Sequence, residues 1–230
     1  MIIIKFTFNL DDLASVLNLV KPYYRVLEIQ NSRISNYKTL YYDTPKLDLY
    51  NHHHSGKLNR YKLRHRMYVD SSLGFFEVKF KNNKGRTIKT RIKENELPDF
   101  SNEQVSKFLK KYLPYDPALL APKIWVNYSR ITLVSKTSPE RLTIDLDLEF
   151  QKDQNSRILK QLVIAEVKRS SRSDSPFISV MKEKHIRQGS ISKYCMAIAC
   201  MYKKIKINNF KNRINQIFKI LNYDIITNCN

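Results

Sequence analysis

Four cationic side chains alternate with other residues in the segment 60–66, RYKLRHR. They are Arg60, Lys62, Arg64 and Arg66. Successive side chains of a β-strand point to opposite faces, so these cations would share one face of a sheet. Like charges this close repel one another unless anions screen them. The segment therefore predicts either an exposed basic surface or a site for a polyanion such as a phosphate chain, and by itself it leaves both open.

The same alternation continues in the next two predicted strands. The cations of one face there are Lys79, Lys81, Lys89, Arg91 and Lys93. If the strands curl into a barrel, these side chains converge on its lumen, where weak screening strengthens phosphate binding. Arginine adds forked contacts to phosphate oxygens, and lysine adds a point charge. Repetition across strands favours the phosphate site.

Carboxylates accompany cations in the second half of the chain. Two predicted strands there carry on their polar faces Tyr128 and Arg130, and then Arg141, Asp145, Asp147 and Glu149. Mg²⁺ and Mn²⁺ take carboxylate oxygens together with substrate phosphates, so Asp145 is a candidate metal ligand. Alternatively, Asp145 and its neighbours pair with Arg130 or Arg141.

Two further pairs of residues could contact phosphate or metal. Glu166 and Lys168 suit a metal ligand beside a phosphate contact, or a simple ion pair. Ser192 and Lys193 begin a predicted helix, where free backbone N–H groups favour an anion, although serine is also a common helix cap. Consecutive histidines at 52–54 cannot all face one metal and are predicted to form a polar turn. Catalytic-triad, zinc-finger and glycine-rich phosphate-loop patterns are absent.

The elements that must position these residues predict an α+β fold. Alternation predicts strands at 37–43, 59–69, 74–81, 86–93, 123–134, 141–150 and 160–168. Helical spacing predicts helices near 10–20 and 102–113, a helix that begins at Pro176, and two more near 194–205 and 214–221. Residues 82–85 read as a hairpin turn and 151–157 as a loop. Short turns between strands predict a closed antiparallel β-barrel with flanking helices.

Composition limits the class of partner. The 230 residues include 41 Lys and Arg against 21 Asp and Glu, a formal net charge of +20 that implies a polyanion. Nucleic acid is disfavoured because exposed aromatics do not interleave with the cations.

Three cysteines without metal spacing, and a start with no signal peptide or spanning helix, predict a cytoplasmic protein. We expect one domain, 1–230, with a helical extension from about 203.

The stretch 41–66, YYDTPKLDLYNHHHSGKLNRYKLRHR, resembles the signature of the VTC domain, the polyphosphate polymerase domain of the vacuolar transporter chaperone. FFEVKFK, RTIKTRI, VNYSRITL, RLTIDLDLEF, IAEVK and SISKYC follow in that family's order. The resemblance implies the triphosphate tunnel fold of CYTH enzymes, an antiparallel barrel that binds triphosphate or polyphosphate and a divalent metal, Mn²⁺ or Mg²⁺. Synthesis coupled to translocation would need a membrane-protein partner in trans.

The resemblance also implies roles for individual residues. Arg64, Arg66 and Lys79 would hold the transferring phosphoryl group, and Glu166 would hold the metal. The implied phosphate-binding residues are Arg60, Lys62, Lys89, Tyr128, Arg130, Arg141, Ser192 and Lys193. The strand faces add Lys5, Lys81, Arg91 and Lys168. Relatives usually carry an acidic residue just before the first strand lysine, whereas Ile3 and Ile4 precede Lys5 here.

The expected activity is transfer of the terminal phosphoryl group of ATP to a polyphosphate chain. Such a transfer needs positioning and charge neutralisation more than a covalent nucleophile. Triphosphate hydrolysis in the same tunnel is one alternative. Binding of polyphosphate or inositol phosphate without catalysis is another, which the missing early acid keeps open.

Overall fold

A computed structural model describes residues 2–170, 174–189 and 192–221. Its strands are β1 (Ile2–Asn9), β2 (Tyr24–Val26), β3 (Ile34–Asp43), β4 (Arg60–Tyr68), β5 (Leu73–Lys81), β6 (Thr87–Lys93), β7 (Ala121–Ser135), β8 (Glu140–Lys152), β9 (Asn155–Leu159) and β10 (Leu162–Arg169). Its helices are α1 (Leu13–Val20), α2 (Asp48–His54), α3 (Glu103–Tyr112), α4 (Pro176–Glu183), α5 (Lys193–Met201) and α6 (Asn208–Ile220). None of these helices is long and apolar enough to cross a membrane.

All strands join one antiparallel sheet, which confirms the predicted α+β class with flanking helices. The order is β1-β10-β8-β7-β3-β4-β5-β6, with β2 paired to β7 and β9 paired to β8. Within the described part of the chain this path has two ends, β1 and β6, so its hydrogen bonding does not form the closed ring that the sequence predicted. The seven predicted strands are all present.

Helices cover both faces of the sheet. The face that carries Arg64, Arg130 and Glu166 is here called the inner face, and α5 and α6 fill one half of it with apolar side chains such as Tyr194 and Ile198. On the outer face, α1 and α4 cover β1, β8 and β10, while α3 covers β3, β4 and β5. The other half of the inner face stays polar.

Local signals explain where the predicted helices begin. The Asn102 side chain accepts N–H bonds from Gln104 and Val105 at the start of α3. Ser175 caps α4 and Pro176 occupies its first turn, where the missing proline N–H costs nothing. Ser192 accepts the N–H of Cys195 and so caps α5. A polar cap followed by apolar residues at helical spacing was enough to place these helices.

The predicted turn at histidines 52–54 is wrong, because these residues form the last turn of α2. The buried carboxylate of Asp43 accepts the backbone N–H groups of Leu49 and Tyr50, both at 2.9 Å, and these bonds satisfy the first turn. Burial of Leu49 and Tyr50 then holds the helix in place. Because Asp43 acts from the preceding strand, helical periodicity alone could not reveal this helix.

Three strands were not predicted from the sequence. β1 and β2 were not among the strands predicted from alternation, although Lys5 to Phe8 of β1 do alternate, and β9 falls in the segment predicted as a polar loop at 151–157. In that segment Asp153 adopts a left-handed φ of 53°, so the chain reverses and β9 pairs back onto β8. For β9, pairing with a neighbouring strand rather than residue preference creates the element.

A β-bulge in β8 reverses the side-chain alternation that the sequence predicted there. Asn127 pairs with Glu149 and Ser129 pairs with Leu146, so two β8 residues stand opposite Tyr128. One of them, Asp147, has a left-handed φ of 52°. Beyond the bulge, Leu148 turns inward to the core. Glu149 therefore leaves the face of Asp145, contrary to prediction, and accepts an outer-face bond from Asn127 at 2.9 Å.

Candidate functional site

The polar half of the inner face is assembled by cross-strand register. Arg64 lies opposite Glu77 on β5, and Arg130 lies opposite Asp145 on β8. Lys5 on β1 lies opposite Glu166 on β10 in the same way. Strands far apart in sequence thereby bring their charged side chains onto one surface, as alternation predicted.

Glu77 is fully buried between two cations. Arg64 donates to its Oε2 from Nε at 2.7 Å and from Nη2 at 2.5 Å, and Lys89 donates to its Oε1 at 3.1 Å. Burial alone would raise the pKa of Glu77, but the charges of Arg64, Arg66 and Lys89 outweigh it and lower the pKa to about 2. Glu77 therefore stays ionised at neutral pH.

Asp145 is a second carboxylate held between two cations. Arg130 donates from Nε to Oδ1 at 2.5 Å and from Nη2 to Oδ2 at 2.9 Å, and Lys193 also donates to Oδ2. Burial would raise the pKa of Asp145, but Lys193 and Arg130 hold it well below its usual range. The ion pair with Arg130, which the sequence left as one alternative, is thus present.

Glu166 is the third such carboxylate. Lys5 contacts its Oε2 at 2.9 Å and Lys168 contacts its Oε1 at 3.0 Å. Burial opposes ionisation, yet these two lysines lower the pKa of Glu166 to about 2. Each of the three carboxylates therefore binds two cations, and each cluster keeps a net positive charge.

The start of α5 meets the cationic row of β4. Lys62 donates to the Ser192 hydroxyl at 2.7 Å, and burial lowers the pKa of Lys62. Lys193 lies 4.6 Å from the centre of the Tyr128 ring, and burial lowers its pKa too. Predicted residues from β4, β7 and α5 thus come together.

Two cations of the central cluster differ from their neighbours because they have neither an ion pair nor a hydrogen bond in the described part of the chain, whereas Lys62 at least contacts the Ser192 hydroxyl. Lys79 lies opposite Lys62 and Lys89 in the strand register and has no hydrogen bond or ion pair there. The charge of Arg64, followed by burial, lowers the pKa of Lys79 well below its ordinary value. Arg66 lies over the Tyr37 ring at 5.6 Å. These two side chains are available to an incoming anion.

Five buried polar atoms of the inner face have no hydrogen-bond partner among the described protein groups. They are Thr39 Oγ1, Arg60 Nε, Arg66 Nε, Tyr128 OH and Thr143 Oγ1. Buried polar groups are nearly always hydrogen-bonded, so these atoms are suited to a ligand oxygen or to water. Thr39 and Thr143 were not identified from the sequence, although alternation puts Thr143 on the face of Arg141 and Asp145; the register of the structure places Thr39 opposite Arg66.

Several predicted residues lie at the margin of this cluster. Lys81, Arg91 and Arg141 are exposed. Arg91 lies over the Phe75 ring at 4.2 Å. Arg60 donates to the Lys57 carbonyl at 3.0 Å, where β4 meets α2. These cations would contact only a ligand that extends beyond the central cluster.

The donor set does not fit a divalent metal held by protein ligands alone. Residues 2–170, 174–189 and 192–221 contain no group of three or more His, Cys, Asp or Glu placed to bind one ion. Both oxygens of Asp145 are engaged by Arg130 and Lys193, so its predicted metal role is not favoured. Glu166 has one lysine on each oxygen.

Comparison with known proteins agrees with this architecture. Residues 2–202 match the family model described as the VTC domain. A 2.12 Å crystal structure of a candidate adenylate cyclase from Bacillus halodurans is 14% identical, with a TM-score of 0.53 over 91% of this chain and 97% of that one, which shows a shared fold.

Two looser likenesses have lower TM-scores. A Hippeastrum candidate adenylyl cyclase, described as having a dominant triphosphatase activity, is 13% identical, with a TM-score of 0.48 over 85% of this chain and 93% of that one. The PH1012 protein of Pyrococcus horikoshii is 11% identical, with a TM-score of 0.43 over 81% and 92%. No protein of curated function matches the sequence.

Proposed function

The chain belongs to the VTC-domain family, and from that premise we propose that its inner face binds a linear phosphate chain, triphosphate or polyphosphate. The observation that carries this proposal is the pair of unpaired cations, Lys79 and Arg66. Six other inner-face cations each contact a carboxylate, whereas these two contact none. The charge of Glu77 attracts both from a distance, but its oxygens are already bound by Arg64 and Lys89. A phosphate group supplies the missing negative charge.

The unpartnered polar atoms support the same ligand. A buried donor or acceptor left without a partner costs about 1–3 kcal/mol. Phosphate oxygens accept hydrogen bonds from the hydroxyls of Thr39, Tyr128 and Thr143 and from Arg66 Nε. These donors come from four strands of the inner face, so a ligand with many oxygens can satisfy more of them than a single carboxylate can.

We further propose that the site transfers the terminal phosphoryl group of ATP to a polyphosphate chain. Arg64, held in place by Glu77, lies beside Arg66 and Lys79 and would stabilise the charge that develops on the transferring group. Cations fixed before the ligand arrives need no reorganisation during the reaction. Mn²⁺ or Mg²⁺ is kept as a proposed cofactor that would arrive bound to the phosphate chain. Glu166 would contact it only after Lys5 or Lys168 had moved from the carboxylate to a phosphate.

Binding without catalysis is the second candidate function. It is favoured by one observation: Glu77, Asp145 and Glu166 each neutralise cations rather than forming a ligand group for metal. Hydrolysis uses the same contacts with water as the acceptor.

One experiment separates these functions. The protein is incubated with ATP and Mn²⁺, with tripolyphosphate binding measured in parallel, and Arg66→Ala with Lys79→Met serves as the site control. Growth of long chains that is lost in the double variant supports the polymerase. Release of phosphate alone identifies a hydrolase, and binding without either product identifies a binding module. Absence of tripolyphosphate binding overturns the proposal.

A further inference from the structure

A second basic cavity lies outside the inner face, between α2 and the segment that joins α5 to α6. Its volume is about 490 Å³, within the usual range for small-ligand sites. Its wall includes Lys46, Asn51, His52, His54, Lys204 and Lys206. These residues share no member with the phosphate site described above.

Every formal charge on the wall of this cavity is positive. Lys46, Lys204 and Lys206 are exposed, and no acidic side chain lines the cavity. Their ammonium groups have no hydrogen bond or ion pair within the described residues. The acid nearest in sequence, Asp48, accepts the Thr44 hydroxyl and does not line the cavity. Three unpaired lysines around one concavity favour an anion with several charges.

The two histidines add defined hydrogen-bond geometry. His54 Nε2 accepts the backbone N–H of Asn209 at 3.2 Å, so the proton of the neutral ring sits on Nδ1, which is then a donor. His52 Nε2 lies 3.3 Å from the Lys57 ammonium, which can only donate, so His52 Nδ1 donates to the Tyr115 hydroxyl at 2.9 Å. His52 is therefore fixed in place, while His54 offers one N–H.

The backbone around the cavity is held in an unusual conformation. Leu47 and Lys204 both have a left-handed φ of 56°, which non-glycine residues rarely adopt. The Asn51 amide ties the two ends of this turn by donating to the Lys46 carbonyl at 2.9 Å. Tyr50 OH donates to the Lys206 carbonyl at 2.8 Å and so fixes the opposite wall. These hydrogen bonds thus hold in place the backbone that carries the lysines.

We infer that this cavity is a second anion-binding site, which takes a small anion carrying several phosphate groups. The opposite side of α2 faces the first site, since the partly buried His53 experiences the charges of Lys62, Arg60 and Lys81. The two sites therefore share a helix but no residue. Phosphate is favoured over carboxylate because lysine and histidine N–H donors match a group with oxygens on several sides.

The test uses tripolyphosphate as the probe and isothermal titration calorimetry as the measurement. The Arg66→Ala, Lys79→Met background weakens the first site, so that the tightest binding that remains reports the cavity. Adding Lys204→Ala and Lys206→Ala to that background should weaken the remaining binding about tenfold or more. Lys211→Ala with Lys219→Ala removes the same charge from exposed positions on α6 and should leave it nearly unchanged.

The outcomes separate this inference from the proposed function. Two sites per wild-type chain and one in the background variant support both. One wild-type site that depends on Lys204 and Lys206 supports the cavity alone. An equal loss in the Lys211 and Lys219 control means attraction to net charge and overturns the inference. So does the absence of binding in the background variant, and citrate binding as tight as tripolyphosphate overturns the preference for phosphate.

Discussion

Lys79 lies directly opposite Lys62 in the ladder between β4 and β5, on the face that both strands turn inward. Lys62 has the Ser192 hydroxyl as a partner, whereas Lys79 has none within the described residues. Like charges at this separation destabilise a sheet. The position of Lys79 is therefore unfavourable for the free protein and favourable for a complex with an anion.

Replacing Lys79 should improve stability and weaken binding at the same time. We expect Lys79→Met to stabilise the free protein by about 1 kcal/mol, since it removes repulsion from two cross-strand lysines. That gain raises the melting temperature by about 2–4 °C for a chain of this size. Tripolyphosphate affinity should fall about tenfold or more. Thermal melts and calorimetry check both, and a lower melting temperature with unchanged affinity would contradict the assignment.

Phosphate binding should take up protons. The pKa of Lys79 is lowered in the free protein by Arg64 and by burial, and a bound anion raises it. Between those two pKa values the complex holds a proton that the free protein lacks, so affinity falls as pH rises through that window. Lys62 and Lys193, whose pKa values burial also lowers, act in the same direction.

The measurement is tripolyphosphate affinity between pH 7 and the ordinary lysine pKa of about 10.4. Wild type should lose affinity more steeply than Lys79→Met, and the comparison cancels the titration of the probe itself. Calorimetry in buffers of different ionisation enthalpy counts the protons directly. If affinity fell equally steeply with pH in wild type and in Lys79→Met, Lys79 would not be the group that takes up the proton.

Glu77 should contribute to stability above the acid range. Because its folded pKa is lowered to about 2, its contribution is complete above the ordinary glutamate pKa of 4.5 and is lost as pH falls toward 2. Glu77→Gln leaves Arg64 buried without its carboxylate, which costs about 3–5 kcal/mol. Denaturant unfolding at pH 7 and pH 3 should show this difference shrinking in acid. A constant difference would indicate lost packing instead of lost charge.

The bulge at Asp147 gives a backbone prediction. A β-branched side chain at a left-handed φ costs about 1–2 kcal/mol, so Asp147→Val should destabilise the protein by that amount. Glycine adopts this conformation without strain, so Asp147→Gly is the matched control and should leave stability unchanged or slightly higher. Urea unfolding measures both, and equal effects of the two substitutions would argue against a strained position.

Strand parity was sufficient to predict the cationic side of the site. Arg64, Lys79 and Arg130 lie on the face that the alternation of residue types indicated. Alternation failed at the bulge, because one extra residue at Asp147 reverses every side chain that follows it. The bonds from the first turn of α2 to Asp43, and the position of Thr39 opposite Arg66, depend on how separate segments pack together. A local sequence pattern cannot show such contacts.

The acids were the less predictable part of the site. Carboxylates next to phosphate-binding cations are compatible with metal ligation or with ion pairing, and residue type does not distinguish them. For Asp145 the strand register decides in favour of ion pairing, since it places Arg130 opposite, and α5 brings Lys193 to the same carboxylate. Which cations remain unpaired could be known only after those pairings were in place.

The three paired carboxylates alter the exchange of ions when a phosphate chain enters. A bare row of cations would collect dissolved anions and release them on binding, which makes affinity fall steeply with salt. Here Glu77, Asp145 and Glu166 are counterions attached to the chain itself, and they cannot diffuse away. The entering phosphates displace fewer mobile ions than the number of cations suggests, so the salt dependence of binding is set mainly by Lys79, Arg66 and the exposed margin.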